Sequence, residues 1–344
     1  MGENLVLGGF LGLTTLLAVA LKAIYRRADE QRAGRRAVIA GNLLLTAFLV
    51  SALTSAGEVY VRFVYDQPDS FGLTKTTLRW FDRHYKKNVA GLRDDAIRYE
   101  SLIPAGKRRV TFVGDSFTVG QGVEDVDLRF ANLLREREPD WEVHIAAVNG
   151  ADTPLEHEFL AIAAATGYEL DLVVLVFNLN DIAPLMPEWR RIHNDIYERP
   201  APSYLIRESW LLNLMYFRLK ATFDSNIREY FDFVQRGYGS AAWEQEQALL
   251  REMRDMVLAH GGHFAVVTFP LFHAMAPDDP FREVHEKLGR FWRTLGVPHL
   301  DLLSVYEGLP ARRLIVNNWD AHPNELAHRM AADAIQAFLE KQLP

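Results

Sequence analysis

No cysteine occurs anywhere in the 344 residues. That excludes a disulfide framework, a thiolate metal site and a cysteine nucleophile, and it permits an oxidising compartment without requiring one. Positive charge is not in excess either. Lys and Arg number 38 against 45 Asp and Glu, a formal net charge of -7, so no nucleic-acid partner is expected. There is no glycine-rich phosphate loop and no H-E-x-x-H or similar ligand spacing. His263, His273 and His285 are scattered, so neither a metal nor a cofactor is expected. Internal repeats and low-complexity tracts are missing. What remains is ordinary for a folded chain, 49% hydrophobic and 24% charged, and long enough for one large domain or two modest ones.

Charge is nearly absent from two stretches at the N-terminus. Leu5 to Ile24 carries only Lys22, and Ala37 to Ala56 carries no charge. About twenty apolar residues at 1.5 Å rise span a bilayer core. A buried core helix is the plainer alternative for each run, and a cleavable signal peptide for the first. Glu3 and the lack of Lys or Arg before the first run argue against the signal peptide. Between the runs, Tyr25 to Arg36 holds five arginines, Arg26, Arg27, Arg32, Arg35 and Arg36. The positive-inside tendency puts this loop in the cytoplasm and everything after about residue 57 outside it. The expected organisation is a transmembrane hairpin over 1–57, a juxtamembrane segment over 58–106 and an α/β domain over 107–344. The localisation that follows is the cytoplasmic (inner) membrane, multi-pass, with lipid bilayer as one partner. In the juxtamembrane segment, Glu58 to Tyr65 alternates and is aromatic-rich, which reads as an interfacial belt or a short strand.

From Lys107 strands and helices alternate. Arg109 to Val113, Trp141 to Val148, Leu172 to Phe177, His263 to Phe269 and Pro298 to Leu302 read as strands. Leu128 to Arg137, Glu156 to Thr166, Ala241 to His260 and Asn324 to Gln342 read as helices. The run LVVLVF at Leu172 is apolar throughout, as in a parallel strand buried on both faces. A parallel sheet covered by helices follows. The last helix places Leu326, Met330, Ala334 and Phe338 on its apolar face and His328 off it, towards the surface. Residues 182–240 interrupt the alternation with an aromatic-rich insertion, either a lid or groove wall or simple helical packing.

Four short motifs follow strands. Gly114-Asp115-Ser116 places a serine just past the first, where open α/β sheets carry their sites. It is not the G-x-S-x-G elbow, because Phe117-Thr118 takes the place of the second glycine spacing. Asp320-Ala321-His322-Pro323 precedes the last helix. A serine hydroxyl needs a base to take its proton, a histidine is the usual base, and a carboxylate fixes its tautomer. Alone, Asp320 would serve equally well as a helix cap. Gly150 follows the second strand with an unobstructed backbone N–H, and Asn180 follows the third with a side-chain amide. Both suit an oxyanion hole.

Ser116, Gly150, Asn180 and His322, in this order, resemble the four blocks of the SGNH (GDSL) hydrolase superfamily. The resemblance covers about residues 107–342. It implies a flavodoxin-like three-layer α/β/α fold, Ser116 as nucleophile, His322 as base and Asp320 as orienting acid. The Ser116 and Gly150 amides and the Asn180 side chain would form the oxyanion hole. Two positions depart from the family pattern. Asn178 stands where glycine is usual, and Trp319 stands where the acid is usual, three residues before the histidine.

The function expected is ester hydrolysis through an acyl-enzyme at the extracytoplasmic membrane face. Two alternatives use the same fold. One is O-acetyl transfer to an envelope or exported polysaccharide, which would favour a membrane O-acyltransferase partner and an acylated-glycan substrate. The other is a catalytically idle envelope scaffold.

Overall fold

The computed structural model describes residues 2–30, 34–94, 99–198, 201–275 and 279–342. Residues 31–33 of the arginine-rich loop, 95–98 of the juxtamembrane segment and 199–200 of the aromatic insertion lie outside the described residues. The chain forms two compact units. One comprises Met1–Pro68, Gly72–Trp80 and Arg199–Asp224. The other comprises Asp69–Phe71, Phe81–Glu198 and Ser225–Pro344.

In the first unit, two helices, Gly2–Glu30 and Arg35–Phe63, are long and apolar enough to cross a membrane. Thr14 Oγ1 lies 2.7 Å from Ser51 Oγ and 2.9 Å from Ser55 Oγ, so small hydroxyls join the two helices along their apolar length. The second helix runs through Phe63, and Val64 and Tyr65 still donate to the Tyr60 carbonyl at 2.9 Å. Glu58 to Phe63 is therefore helical rather than a short strand. Continuing the helix pairs each backbone N–H within the segment, whereas a lone strand would have no ladder partner. Glu58 is fully buried. Its carboxylate accepts from Ser209 Oγ at 2.6 Å, Trp210 N at 3.0 Å and Leu211 N at 2.9 Å. It thus complements the positive end of the helix Trp210–Phe223. That helix leaves Met215, Leu219 and Phe223, one stripe at i, i+4 and i+8, exposed.

The second unit is built on a five-stranded parallel sheet. Its strands are β1 (Arg108–Gly114), β2 (Trp141–Ala147), β3 (Leu172–Asn178), β4 (His263–Phe269) and β5 (His299–Asp301), in the order β2-β1-β3-β4-β5. This is the flavodoxin-like doubly wound order. Side chains alternate between the faces, as strand geometry requires. Val110, Phe112, Val174, Val176, Ala265 and Val267 enter one core with helices Phe130–Arg137 and Glu325–Gln342. On the other side, helix Thr153–Ala165 packs against Ala241–Ala259. Every residue of β3 is buried, which is why its sequence is apolar throughout.

The last helix buries a face one residue away from the expected one. Ala327, Ala331, Ile335 and Leu339 are fully buried, while Leu326 is 37% exposed and Met330, Ala334 and Phe338 only partly covered. His328 is also fully buried, contrary to the surface position expected of it. Its ring stacks on Phe130 at 5.9 Å and burial holds its pKa down at about 3. Small alanines allow close approach of the helix to the sheet, and that close approach outweighs the larger side chains one position away.

Two further strands, β6 (Ile315–Asn317) and β7 (Asp320–Pro323), pair antiparallel. They hold in extended form the Asp320–Pro323 segment that precedes the last helix. The carboxyl ends of β1 and β3, where the strand order reverses, form the crevice that carries ligands in such sheets.

Candidate active site

Ser116 opens a four-residue helix, Ser116–Val119, directly after β1. Asp115 caps it, its Oδ1 accepting from Phe117 N at 2.9 Å. Gly114 is required by packing rather than by a sharp turn. A Cβ there would lie 2.2 Å from Thr118 Oγ1 and 2.9 Å from the Val176 carbonyl, so the nucleophile loop could not close onto β3.

Ser116 Oγ lies 2.8 Å from His322 Nε2, and His322 Nδ1 lies 2.5 Å from Asp320 Oδ1. All three residues are buried, Ser116 at 9% exposure, His322 at 8% and Asp320 at 0%. The Nδ1 contact to a carboxylate leaves Nε2 facing the serine, the arrangement that lets the imidazole take the hydroxyl proton. Burial pushes the His322 pKa down, but the Asp320 charge and hydrogen bond, followed by the Asp115 and Asp69 charges, outweigh it and leave the pKa raised. Asp320 does not cap the last helix. Asn324 does so, its Oδ1 accepting from Leu326 N and Ala327 N at 3.1 Å each.

Gly150 has φ +73° and follows β2 in a turn closed by Ala151 N donating to the Val148 carbonyl at 3.2 Å. A side chain at that φ would be strained, and nothing crowds the position. Asn180 sits just past β3 and is half-buried. A carboxamide has two N–H donors that a substrate oxygen can use.

Asn178 has an extended backbone, φ -110° and ψ 145°, open to any residue. Its Nδ2 donates to Asp115 Oδ2 at 3.2 Å and its backbone N to Asp181 Oδ2 at 2.8 Å. The residue that departs from the family pattern thus ties the end of β3 to the cap beside the nucleophile. Burial raises the Asp115 pKa to about 6, against the pull of the Phe117 amide, the His322 charge and the Asn178 bond.

The model of the GDSL-like lipase/acylhydrolase family matches residues 112–330, more than half of the chain and all four blocks above. The chain belongs to that family. It is an ester-bond hydrolase by that membership. Comparison with curated proteins returns no match. Among solved structures, the GDSL hydrolase is similar to TesA (16% identity, 69% of this chain and 100% of that chain, TM-score 0.44). It is similar also to the psychrotrophic esterase EstA from Pseudoalteromonas sp. (12% identity, 69% and 99%, TM-score 0.42) and to the extracellular lipase of Streptomyces rimosus (12%, 68% and 99%, TM-score 0.40). Likenesses this distant carry no argument about substrate.

Several residues near the site of the GDSL hydrolase carry no motif in the sequence. Glu156, Asp181 and Glu246 are fully buried. Glu156 and Asp181 are pushed well up, first by burial and then by neighbouring carboxyls that include Asp115. Glu246 is raised to about 8 by burial, although Thr153 Oγ1 donates to it at 2.5 Å. Among the described residues no group of His, Asp or Glu could hold a metal ion. Within the insertion, Tyr230 and Phe233 are buried, and Trp189 stacks on Phe233 at 6.4 Å, which is helical packing at these positions.

Proposed function

We propose that the protein is a serine acylhydrolase that works through an acyl-enzyme on Ser116, anchored in a membrane with its catalytic domain on the extracytoplasmic side. The observation that supports it most directly is the unbroken chain from Ser116 Oγ through His322 to Asp320. His322 Nε2 takes the Ser116 proton as Oγ attacks the ester carbonyl. The Ser116 and Gly150 amides and the Asn180 side chain receive the developing oxyanion. The tetrahedral adduct collapses, and His322 returns the proton to the departing alcohol. Water then attacks the acyl-enzyme, deprotonated by the same His322, and releases the acid and free Ser116. An idle scaffold would have no use for a buried imidazole held between a carboxylate and a hydroxyl.

Membrane anchoring is supported by the two apolar helices and by the exposed apolar stripe Met215, Leu219 and Phe223 in the same unit. The arginines between the helices support the orientation.

A serine-directed fluorophosphonate tests the chemistry. Wild-type protein should label and Ser116→Ala should not. A folded wild-type protein that fails to label would remove the acyl-enzyme reading. Reporter fusions test the orientation, and an active periplasmic reporter at Gly34 would contradict it.

A further inference from the structure

We infer that Ser70, which lies with Asp69 and Phe71 before the family-matched region, is a positioning residue for the Asp320 loop of the active site. The inference rests on the Ser116–His322–Asp320 reading.

These three residues cluster with the α/β domain, whereas the residues flanking them in sequence do not. Ser70 grips the acid loop on two sides. Its backbone N donates to the Trp319 carbonyl at 2.9 Å, and its Oγ accepts from Ala321 N at 2.8 Å. The same hydroxyl points its own proton at Asp320 Oδ1, 3.4 Å away. It therefore brackets the acid along the backbone and meets the carboxylate oxygen that His322 uses. A carboxylate that orients a catalytic imidazole must itself be held, because misplacement of about 1 Å costs heavily in rate.

The neighbours of Ser70 pack on the surroundings of the site. The Asp69 carbonyl accepts from Gln121 Nε2 at 3.4 Å, and Gln121 Oε1 accepts in turn from Asn149, which precedes Gly150. The Phe71 ring meets Tyr230 edge-on at 5.9 Å. One tripeptide thus grips the acid loop and reaches the Gly150 loop through Gln121.

The test uses the full chain in detergent and the rate of fluorophosphonate labelling as a function of probe concentration. Ser70→Ala should slow labelling roughly 10- to 100-fold at saturating probe, the scale of a misplaced catalytic group, with little change in half-saturation. Ser70→Thr keeps the hydroxyl and should recover most of that loss. A purely structural role would give equal losses in both variants. Ser70→Ala labelling within twofold of wild type, or losses in Ser70→Ala and Ser70→Thr that are equal and match the loss of folded protein, would overturn the assignment of Ser70. If His322→Ala labels as fast as wild type, the triad reading itself fails. If His322→Ala is silent and Ser70→Ala is normal, only the present inference fails.

Discussion

Asn178 Nδ2 donates to Asp115 Oδ2 across 3.2 Å, linking the last residue of β3 to the residue that precedes the nucleophile. Both side chains are buried, at 1% and 2% exposure, so the bond is made where neither group has water as an alternative. It supplies one of the few partners of a carboxylate that must cap the Ser116 helix in an apolar setting.

Asn178→Gly would restore the residue usual in this family and delete that bond. Leaving a buried carboxylate short of a partner, and adding glycine entropy to the unfolded chain, should destabilise the domain by about 1–3 kcal/mol. Urea unfolding of wild type and variant checks it. Unchanged stability would mean that Asp115 finds another donor.

A pair of variants separates two roles that the segment before the last helix combines. Asp320→Asn should present the wrong partner to His322 and lower turnover roughly a hundredfold or more, with a small effect on melting. Asn324→Ala should do the reverse. It removes the acceptor for Leu326 N and Ala327 N, at a cost of about 1 kcal/mol, and leaves turnover near wild type. Melting temperature and turnover measured on both variants decide it.

How far the sequence could be read depended on the range of the interaction. Strands β1 to β4 begin and end within a residue or so of their apolar runs, because burial on both faces leaves little room for polar residues. The four motif residues were legible for a similar reason, since each stands immediately after a strand or before a helix. His328 was misread because its side chain fills a space set by Phe130, 198 positions earlier. Ser70 was invisible, since its hydroxyl matters only through a loop about 250 positions later. The buried acids Glu156 and Glu246 look like ordinary helix-surface carboxylates until the two helices that carry them pack together.

Asn180→Ala should lower turnover by roughly a hundredfold or more, the usual scale for one oxyanion donor. The fold should persist, because Asn180 is only half-buried. Turnover and KM on a 4-nitrophenyl ester check it, and near-wild-type turnover in Asn180→Ala would take that residue out of the site.

The last prediction concerns alkaline pH. Glu246 is fully buried, one of its oxygens is held only by Thr153 Oγ1, and its pKa is raised to about 8 by burial. In the unfolded chain it titrates near the ordinary glutamate value of about 4.3. A carboxyl whose folded pKa exceeds its unfolded pKa binds its proton more tightly when folded. Its contribution to stability is therefore fully present below about pH 4.3 and is lost as pH rises through about 8. Glu156 and Asp181 are raised for the same first reason, so they act with the same sign. Melting temperature should accordingly fall between neutral pH and pH 9. Glu246→Gln keeps the shape and an acceptor for Thr153 but has no proton to lose, so its melting temperature should fall less over that window. If wild type and Glu246→Gln decline in parallel, Glu246 is not the group that sets the alkaline limit.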